Sequence, residues 1–203
     1  MKRITLITLL LIVACINSSC QNNNADKQLV QNLKGTWEGS IYLDDEIPAD
    51  IQFFESKNGT TGNFIEIAYL HEIDGDFDIR YFAYMSGEYT VKDGNLSLVF
   101  DLETVYAEPY DENVLNEYAH ALWNHYLEEG RELLWDNESE LAVSVLEFLE
   151  DNWSGVCEGR NEAGNNFSKL TVSENKMSFA AGNETWEFKR ADHDWFTGFP
   201  FDE

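Results

Sequence analysis

Apolar and polar residues alternate along much of the chain between residues 36 and 102, which is the period of a half-buried β-strand. Asn-Gly and Asp-Gly pairs punctuate this stretch, and such pairs favour tight hairpins because both central residues adopt positive φ. The pairs are Asn58-Gly59, Asp74-Gly75 and Asp93-Gly94. The alternation predicts strands over residues 36–43, 49–56, 62–73, 76–85, 88–92 and 95–102, with Ser86-Gly87 as a bulge or turn. The pattern therefore predicts an antiparallel meander.

The period changes to three or four residues after the meander, which indicates amphipathic helices. Such helices are predicted over residues 111–129 and 138–151, and a shorter one over residues 27–34. Asn137, with Glu140 three residues later, resembles a capping box at the start of the second long helix. The sequence thus places a helical pair inside a β-rich chain.

Alternation returns after the helices, and strands are predicted over residues 153–160, 167–173, 176–181 and 184–190. Trp153-Ser154-Gly155 at the start of this stretch resembles Trp37-Glu38-Gly39 near the first strand. Two copies of weak identity favour a common way of opening a sheet over an internal duplication. The expected fold class is mainly β, with a two-helix insertion at about residues 110–152.

Gly35-Thr36-Trp37 at the opening strand resembles the Gly-x-Trp signature of the lipocalin-like, or calycin, β-barrels. In that family the Trp closes one end of the barrel, and an Arg near the end of the last strand stacks over it; Arg190 stands in the matching place. The resemblance covers about residues 33–190 and implies that the antiparallel meander closes into a lipocalin-like β-barrel. The chain departs from the family in lacking a Thr-Asp-Tyr-type motif and in carrying helices inside the meander. These departures bear on ligand binding more than on architecture.

The first 20 residues have the pattern of an export signal. Lys2 and Arg3 precede an apolar run of 11 residues, Ile4 to Ala14, and small residues then lead to a cysteine. A permanent transmembrane helix needs about 20 apolar residues, so this run is too short to be one. The pattern resembles bacterial lipoprotein signals and predicts an exported chain held on a membrane by a lipid anchor. An ordinary secretory signal with incidental cysteines is the alternative.

Cys20 is the expected lipid attachment site because cleavage before it gives the more usual signal length. Cys15 is the alternative, since Ile12-Val13-Ala14-Cys15 places an apolar residue three positions before the cysteine. Residues 20–28 are polar and suit a tether. The expected location is the cell envelope, at the outer membrane, with the periplasmic and the surface face both open.

These features divide the chain into a signal peptide, a tether with a short helix, a single barrel domain with its helical insertion, and a C-terminal tail. The boundaries are 1–19, 20–34, 35–190 and 191–203. Cys157 is the one cysteine after the tether, so the domain cannot be held by an internal disulfide. It is expected to be a small buried apolar residue in a strand rather than a nucleophile.

Composition narrows the function classes. The 203 residues include 38 acidic and 13 basic side chains, for a formal net charge of −25. A chain with this charge is poorly suited to a nucleic-acid backbone, because phosphate neutralisation needs clustered Lys and Arg. The 6 Trp, 9 Tyr and 13 Phe make it too apolar for a disordered acidic tail. A folded acidic domain that does not bind nucleic acid is therefore expected.

The negative charge is concentrated in the helical insertion. Residues 101–151 hold 15 acidic residues and one basic residue, Arg131. A solvated helical face that keeps the protein soluble explains this charge; a surface that steers a cationic partner is the sharper interpretation. The candidate acidic patch comprises Glu112, Glu117, Glu128, Glu129 and Glu132 with the interleaved Trp123 and Trp135.

No catalytic or cofactor pattern stands out. A Gly-x-Ser-x-Gly elbow, a phosphate-cradling glycine loop and paired cysteine ligands for zinc are missing. Glu117 and His120 have the Glu-x-x-His spacing of di-metal bundles, but such sites need carboxylates from four helices. Among so many acidic residues, carboxylate pairs of the glycosidase kind arise by chance. The sequence predicts no metal site, no cofactor and no enzymatic activity.

The leading hypothesis is accordingly a non-enzymatic module that binds a small molecule or a protein through the barrel cavity or the acidic insertion. An acidic inhibitor or immunity-type protein that neutralises a basic cell-envelope enzyme is the alternative. A carbohydrate-active protein is the third hypothesis. The barrel interior discriminates among binding modes: an open apolar cavity favours a small molecule, whereas a filled interior leaves the outer surface.

Overall fold

The computed structural model describes residues 24–43, 45–198 and 200, and the predicted signal peptide with Cys15 and Cys20 lies outside this range. Helix α1 covers residues 24–33 and leads into a β-sheet. The strands are β1 Gly35–Tyr42, β2 Glu46–Phe53, β3 Thr61–Asp74, β4 Phe77–Lys92, β5 Asn95–Phe100, β6 Tyr106–Pro109, β7 Asn166–Val172, β8 Lys176–Ala181 and β9 Glu184–Arg190. Helices α2, Glu112–Glu128, and α3, Glu138–Glu162, connect β6 to β7.

Eight of the strands close into an antiparallel barrel, which confirms the predicted mainly β fold with a two-helix insertion. Neighbours around the ring follow the order β1, β2, β3, β4, β5, β7, β8, β9 and back to β1. Pairing of β9 with β1 closes the ring and sets Arg190 opposite Trp37. Strand β6 lies outside the ring and pairs with the first half of β4, where Ala107 is opposite Ala83.

Strand β4 is a single strand, and the predicted break at Ser86-Gly87 is wrong. One edge of β4 pairs with β3; along the other edge its first half pairs with β6 and its second half with β5. Position 87 needs a glycine because neighbouring atoms pack closely there, not because the chain turns. A Cβ at this position would collide with the Val99 carbonyl oxygen and the Phe64 ring.

The predicted strand over residues 153–160 is also wrong, because this segment continues helix α3. Leu149, Trp153, Cys157 and Arg160 are buried at intervals of three and four residues, which is the period of a helix face. Gly155 and Gly159 lie on the exposed side, where each costs the helix about 1 kcal/mol relative to Ala. Burial of the opposite face outweighs that cost. Trp153-Ser154-Gly155 therefore opens no strand, and its likeness to the start of β1 is not structural.

The predicted starts of the two long helices are confirmed, whereas the short helix begins at residue 24 rather than at residue 27. The Asp111 side chain caps α2 by accepting from the Asn113 amide, and the Asn137 side chain caps α3 by accepting from the Glu140 amide. In the part of the chain that the structure describes, no helix has the length and apolar character needed to cross a bilayer.

One hydrophobic core joins the barrel and the helices. Its largest fully buried rings come from the strands: Trp37, Phe53, Phe64, Tyr89, Phe179 and Phe188. The helices add Leu115, Leu141, Leu149 and Trp153 to the same cluster. The insertion is consequently part of the barrel domain and does not form a bundle of its own.

Helix α3 also completes the barrel wall. Strands β5 and β7 pair over only two residue pairs in the described sheet, Leu96 with Phe167 and Ser97 with Asn166. Beyond them, the Asn161 side-chain amide bonds both backbone groups of Phe100: Oδ1 accepts from its N–H and Nδ2 donates to its carbonyl oxygen, each at 2.9 Å. A helix side chain thus takes the place of a missing strand partner.

Candidate functional site

One end of the barrel is closed by Trp37 and Arg190. The Arg190 guanidinium lies 4.1 Å from the Trp37 ring centroid, the arrangement that the lipocalin-like resemblance implies. The same guanidinium donates to the backbone carbonyl oxygens of Asn32, Lys34 and Glu174, each at 2.7 Å. The Trp37 indole N–H donates to the Leu33 carbonyl oxygen, which ties α1 to this end. Gly35 lies next to this contact, because a Cβ at that position would come within 2.8 Å of the Arg190 Nη1 atom.

A buried ion pair occupies the interior near α3. Glu66 shares the inward face of β3 with Phe64 and Ala68, and its carboxylate accepts two hydrogen bonds from Arg160. The guanidinium also lies 4.4 Å from the Phe100 ring centroid. Burial alone would lower the pKa of Arg160, but the Glu66 carboxylate raises it above its ordinary value, so the guanidinium keeps its charge.

The protein's own side chains take the space that a ligand would occupy inside a lipocalin-like barrel. The interior rings contact one another, with centroids 5.2 Å apart for Phe53 and Tyr89 and 5.3 Å apart for Phe64 and Phe100. The Arg160–Glu66 pair lies beside them.

Residues 191–198, the C-terminal segment, lie across the outer face of β2, β3 and β4. The Asp50 carboxylate accepts from the Trp195 indole N–H and from the Tyr69 hydroxyl, each at 2.8 Å. The Gln52 side chain accepts from the Phe196 amide and donates to the Phe196 carbonyl oxygen. Asp50 and Gln52 are buried although they face outward, because this segment covers them.

A cleft of about 540 Å³ lies between this segment, β4 and the chain around β6. We call it the aromatic cleft. Its lining consists of Ile65, Tyr84, Met85, Glu103, Thr104, Val105, Tyr106, Glu108, Trp195, Phe196 and Pro200. Tyr84 is the central ring, with centroids of Tyr106, Trp195 and Phe196 6.0, 6.4 and 6.4 Å away. The cleft volume is in the range typical of small-molecule sites, about 300–1,000 Å³.

The polar groups of the cleft are mainly anionic. Glu103 and Glu108 are exposed at the lining, and Glu108 accepts a hydrogen bond from the Tyr84 hydroxyl at 3.1 Å. Burial, with the Glu108 charge, raises the pKa of Tyr84, so its hydroxyl keeps its proton. The Thr104 hydroxyl is engaged structurally, since it accepts from Ser86 and donates to the Asp101 carbonyl oxygen. Among the lining residues that the structure describes, none is Lys, Arg or His.

Sequence reasoning missed this cleft because its residues come from distant segments. Tyr84 belongs to the face of β4 that alternation assigns to solvent, and Trp195 lies in the predicted tail. One signal was available: β4 carries Phe82 and Tyr84 on its outer face as well as Tyr81 and Tyr89 on its inner face. Rings on both faces indicate that something covers the outer one.

The structure separates the members of the predicted acidic patch. Glu117 and Glu128 lie opposite the buried face of α2, eleven residues apart, which is about 16 Å along the helix axis. Glu129 is paired with Arg131 at 2.6 Å and with His125 at 3.4 Å. Glu112 and Glu132 are exposed, one at the start of α2 and the other beyond its end. The carboxylates form a broad negative surface rather than one pocket.

The two tryptophans of that patch are engaged in packing. Trp135 stacks on Tyr126 with centroids 6.0 Å apart, and its indole N–H donates to the Ser144 hydroxyl of α3. Trp123 is partly buried against the core. These rings therefore hold the helical pair together.

Two further groups bear on chemistry. Glu38, Asp192 and His193 bring potential metal-ligand atoms within 4.8 Å of one another, but all three are exposed and no buried ligand supports them. Cys157 is fully buried, as predicted, although in helix α3 rather than in a strand. Its burial raises its pKa, which opposes a role as a thiolate nucleophile.

A comparison of the chain with models of known protein families found no match, and a comparison with curated protein sequences found none either.

Proposed function

We propose that this protein is an exported, non-enzymatic binding module that holds an apolar ligand in the aromatic cleft. The observation that carries the proposal is the cleft itself, a concave site of about 540 Å³ lined by four aromatic rings. Sites of this size, with apolar walls and few polar groups, are where proteins hold small molecules. Aromatic rings supply large contact area at small entropic cost.

The filled interior supports an external site. In a lipocalin-like barrel the ligand would lie inside the barrel, but here packed rings and the Arg160–Glu66 pair occupy that region. Expelling a buried ion pair to admit a ligand would be costly. The outer wall, where the C-terminal segment forms one side of the cleft, needs no such rearrangement.

We also propose a lipocalin-like relationship and a lipid anchor. Gly35-Thr36-Trp37, Arg190 and the closed eight-stranded ring support the first. The basic, apolar and small-residue pattern before Cys20 supports the second, with Cys15 as the alternative site. Incorporation of radiolabelled palmitate into the full chain tests the anchor: a Cys20→Ala variant should lose the label and a Cys15→Ala variant should keep it. Label in neither variant nor the parent chain would contradict the anchor.

Binding at the cleft can be tested with N-phenyl-1-naphthylamine, a neutral probe whose fluorescence rises in apolar surroundings. We expect saturable enhancement with one probe per chain. Tyr106→Ala should weaken binding at least fivefold, because Tyr106 is 55% exposed on a short outer strand and can be truncated without opening the core. Phe148→Ala is the matched control, since Phe148 is a 62% exposed ring on α3 that is not part of the cleft lining.

The outcomes separate the sites. Equal enhancement by the parent chain and Tyr106→Ala would place the probe elsewhere and contradict the cleft. No enhancement at any concentration below the solubility limit would contradict the apolar-ligand proposal. Weakening by Phe148→Ala as large as that by Tyr106→Ala would indicate a nonspecific surface effect.

A second candidate function rests on the charge of the helical insertion. Its one basic side chain between residues 101 and 151, Arg131, is itself paired with Glu129, so the outward field is that of the carboxylates. An inhibitor of a basic envelope enzyme would use this surface. Capture of a basic probe protein such as cytochrome c should weaken steeply between 50 and 500 mM salt; capture that is insensitive to salt, or absent, would count against it.

A further inference from the structure

We propose that the ligand of the aromatic cleft is an organic cation, a substituted ammonium group attached to an apolar or aromatic body. This inference rests on the proposed binding at the cleft and names the ligand class. It follows from three independent features of the described residues: the sign of the lining charges, the arrangement of the rings and the field around the site.

The charged groups of the lining are both carboxylates. Glu103 and Glu108 flank the rings, and the Tyr84 hydroxyl donates to Glu108, which holds that carboxylate at the cleft. The His193 ring centroid lies 5.6 Å from that of Trp195, but His193 is not part of the lining. An anion in this cleft would meet two like charges, whereas a cation would meet two opposite ones.

Tyr84, Tyr106 and Trp195 all line the cleft. Tyr84 and Tyr106 are inclined by 34°, and Trp195 is nearly perpendicular to Tyr84 at 82°. Faces of Tyr and Trp attract cations through the ring quadrupole, and sets of such faces bind quaternary ammonium groups. Aromatic rings alone would also bind a neutral apolar ligand. The carboxylates beside the rings are what favour a ligand with a positive charge.

The surrounding field favours the same sign. The chain carries a formal net charge of −25, and the segment that contributes Glu103 and Glu108 belongs to its most acidic stretch. Such a field concentrates cations near the surface and excludes anions. A saccharide, which is neutral, would gain nothing from this field.

Three probes with one benzyl group and different charge test the inference: benzyltrimethylammonium, benzyl alcohol and phenylmethanesulfonate. Calorimetric or ligand-observed NMR titrations of the full domain should give a Kd at least tenfold lower for the ammonium than for the alcohol, and no measurable binding of the sulfonate. Raising the salt concentration from 50 to 500 mM should reduce the difference in Kd between benzyltrimethylammonium and benzyl alcohol, because salt screens the attraction of the carboxylates for the cation.

Charge-neutralising variants localise the effect. Glu108→Gln and Glu103→Gln should each weaken ammonium binding about threefold or more and leave alcohol binding unchanged, because shape and rings are kept. Glu88→Gln is the matched control: Glu88 is an exposed outward carboxylate of the same strand as Tyr84 but is not part of the lining. An equal loss in Glu88→Gln would show a general charge effect and overturn the assignment.

The titrations distinguish an incorrect ligand class from an incorrect binding site. If the alcohol binds as tightly as the ammonium, the cationic ligand class is wrong while the cleft stands as a binding site. If none of the three benzyl probes and no N-phenyl-1-naphthylamine binds, both proposals are wrong. Ammonium binding that survives both glutamine substitutions and Tyr106→Ala would place the cation elsewhere and overturn the inference.

Discussion

Arg160 of helix α3 forms a two-bond ion pair with Glu66 of strand β3 inside the barrel. Removing one partner of such a pair leaves an uncompensated buried charge, at a cost of about 3–5 kcal/mol. We therefore expect Arg160→Met to lower the free energy of unfolding by about that amount. The double variant Glu66→Leu with Arg160→Met should recover most of the loss, because apolar residues of similar volume replace the pair. Urea denaturation measures both.

An exposed ion pair provides the contrast. Lys176 and Glu187 lie 2.6 Å apart at the surface, where solvent screens their attraction. Lys176→Met should change the free energy of unfolding by no more than about 1 kcal/mol. The double variant Glu66→Leu with Arg160→Met should be more stable than Arg160→Met alone. If it is not, the unpaired buried charge does not cause the loss of stability in Arg160→Met.

Arg190 should tolerate no conservative replacement. Its planar guanidinium stacks on Trp37 and reaches three carbonyl oxygens at once, which the point charge of a lysine cannot reproduce. We expect Arg190→Lys to lower the free energy of unfolding by about 2 kcal/mol. The neighbouring exposed Lys189→Ala is the control and should cost less than about 0.5 kcal/mol. Equal effects in the two variants would contradict the role of the guanidinium geometry.

The C-terminal segment should detach when Asp50 is truncated. Asp50→Ala removes the acceptor for the Trp195 indole N–H and the Tyr69 hydroxyl. Hydrogen exchange of the peptide that contains residues 192–198 should accelerate at least tenfold, while peptides from β8 and β9 keep their protection. Asp45→Ala, at an exposed loop position, is the control. Acceleration throughout the barrel would show that Asp50 stabilises the whole domain instead.

Stability should fall at alkaline pH partly through Tyr89. Burial raises the pKa of Tyr89 to about 12, from an ordinary value of 10.0. Between these values the unfolded chain binds fewer protons than the native one, so stability decreases as pH rises. Tyr89→Phe should therefore lose stability less steeply from pH 10 to 12, after costing about 1 kcal/mol at pH 8 through the lost bond to the Phe54 carbonyl oxygen. An unchanged slope would contradict the assignment.

The parts of the fold that depend on local chemistry were predictable from the sequence. Hairpin dipeptides and strict alternation specify antiparallel neighbours, and Asp93-Gly94 indeed joins β4 to β5. Asn137 likewise marks the start of α3 because its side chain satisfies a backbone amide within the first turn. Turn dipeptides and helix caps act through contacts within a few residues, so their effect does not depend on the tertiary structure.

The end of α3 was not predictable in the same way. Gly155 and Gly159 weaken a helix, and Trp153 and Val156 suit a strand, so local propensity opposes what the chain does. The helix persists because Trp153, Cys157 and Arg160 together reach the barrel interior, and Arg160 finds its partner 94 residues earlier. A contact between residues so far apart in sequence produces no pattern in the residues around either of them.

The aromatic cleft was hidden for a related reason. Tyr84 and Trp195 are 111 positions apart, and the alternation that correctly assigns Tyr84 to the outer face cannot show what covers it. The acidic residues are dense in the sequence around α2, but their carboxylates are spread over a broad surface and form no single pocket. Glu103 and Glu108, which belong to the cleft, were counted within that charge without being distinguished from it.

Asn161 links two events that would otherwise be separate. Its amide supplies the backbone partner that Phe100 lacks, beyond the two residue pairs that join β5 to β7, so the docking of α3 extends the junction between these strands. Closure of the sheet and burial of the helix should then occur as a single cooperative transition, with calorimetric and van't Hoff enthalpies in agreement. Removing the insertion should therefore weaken the junction between β5 and β7 and make the unfolding of the barrel less cooperative.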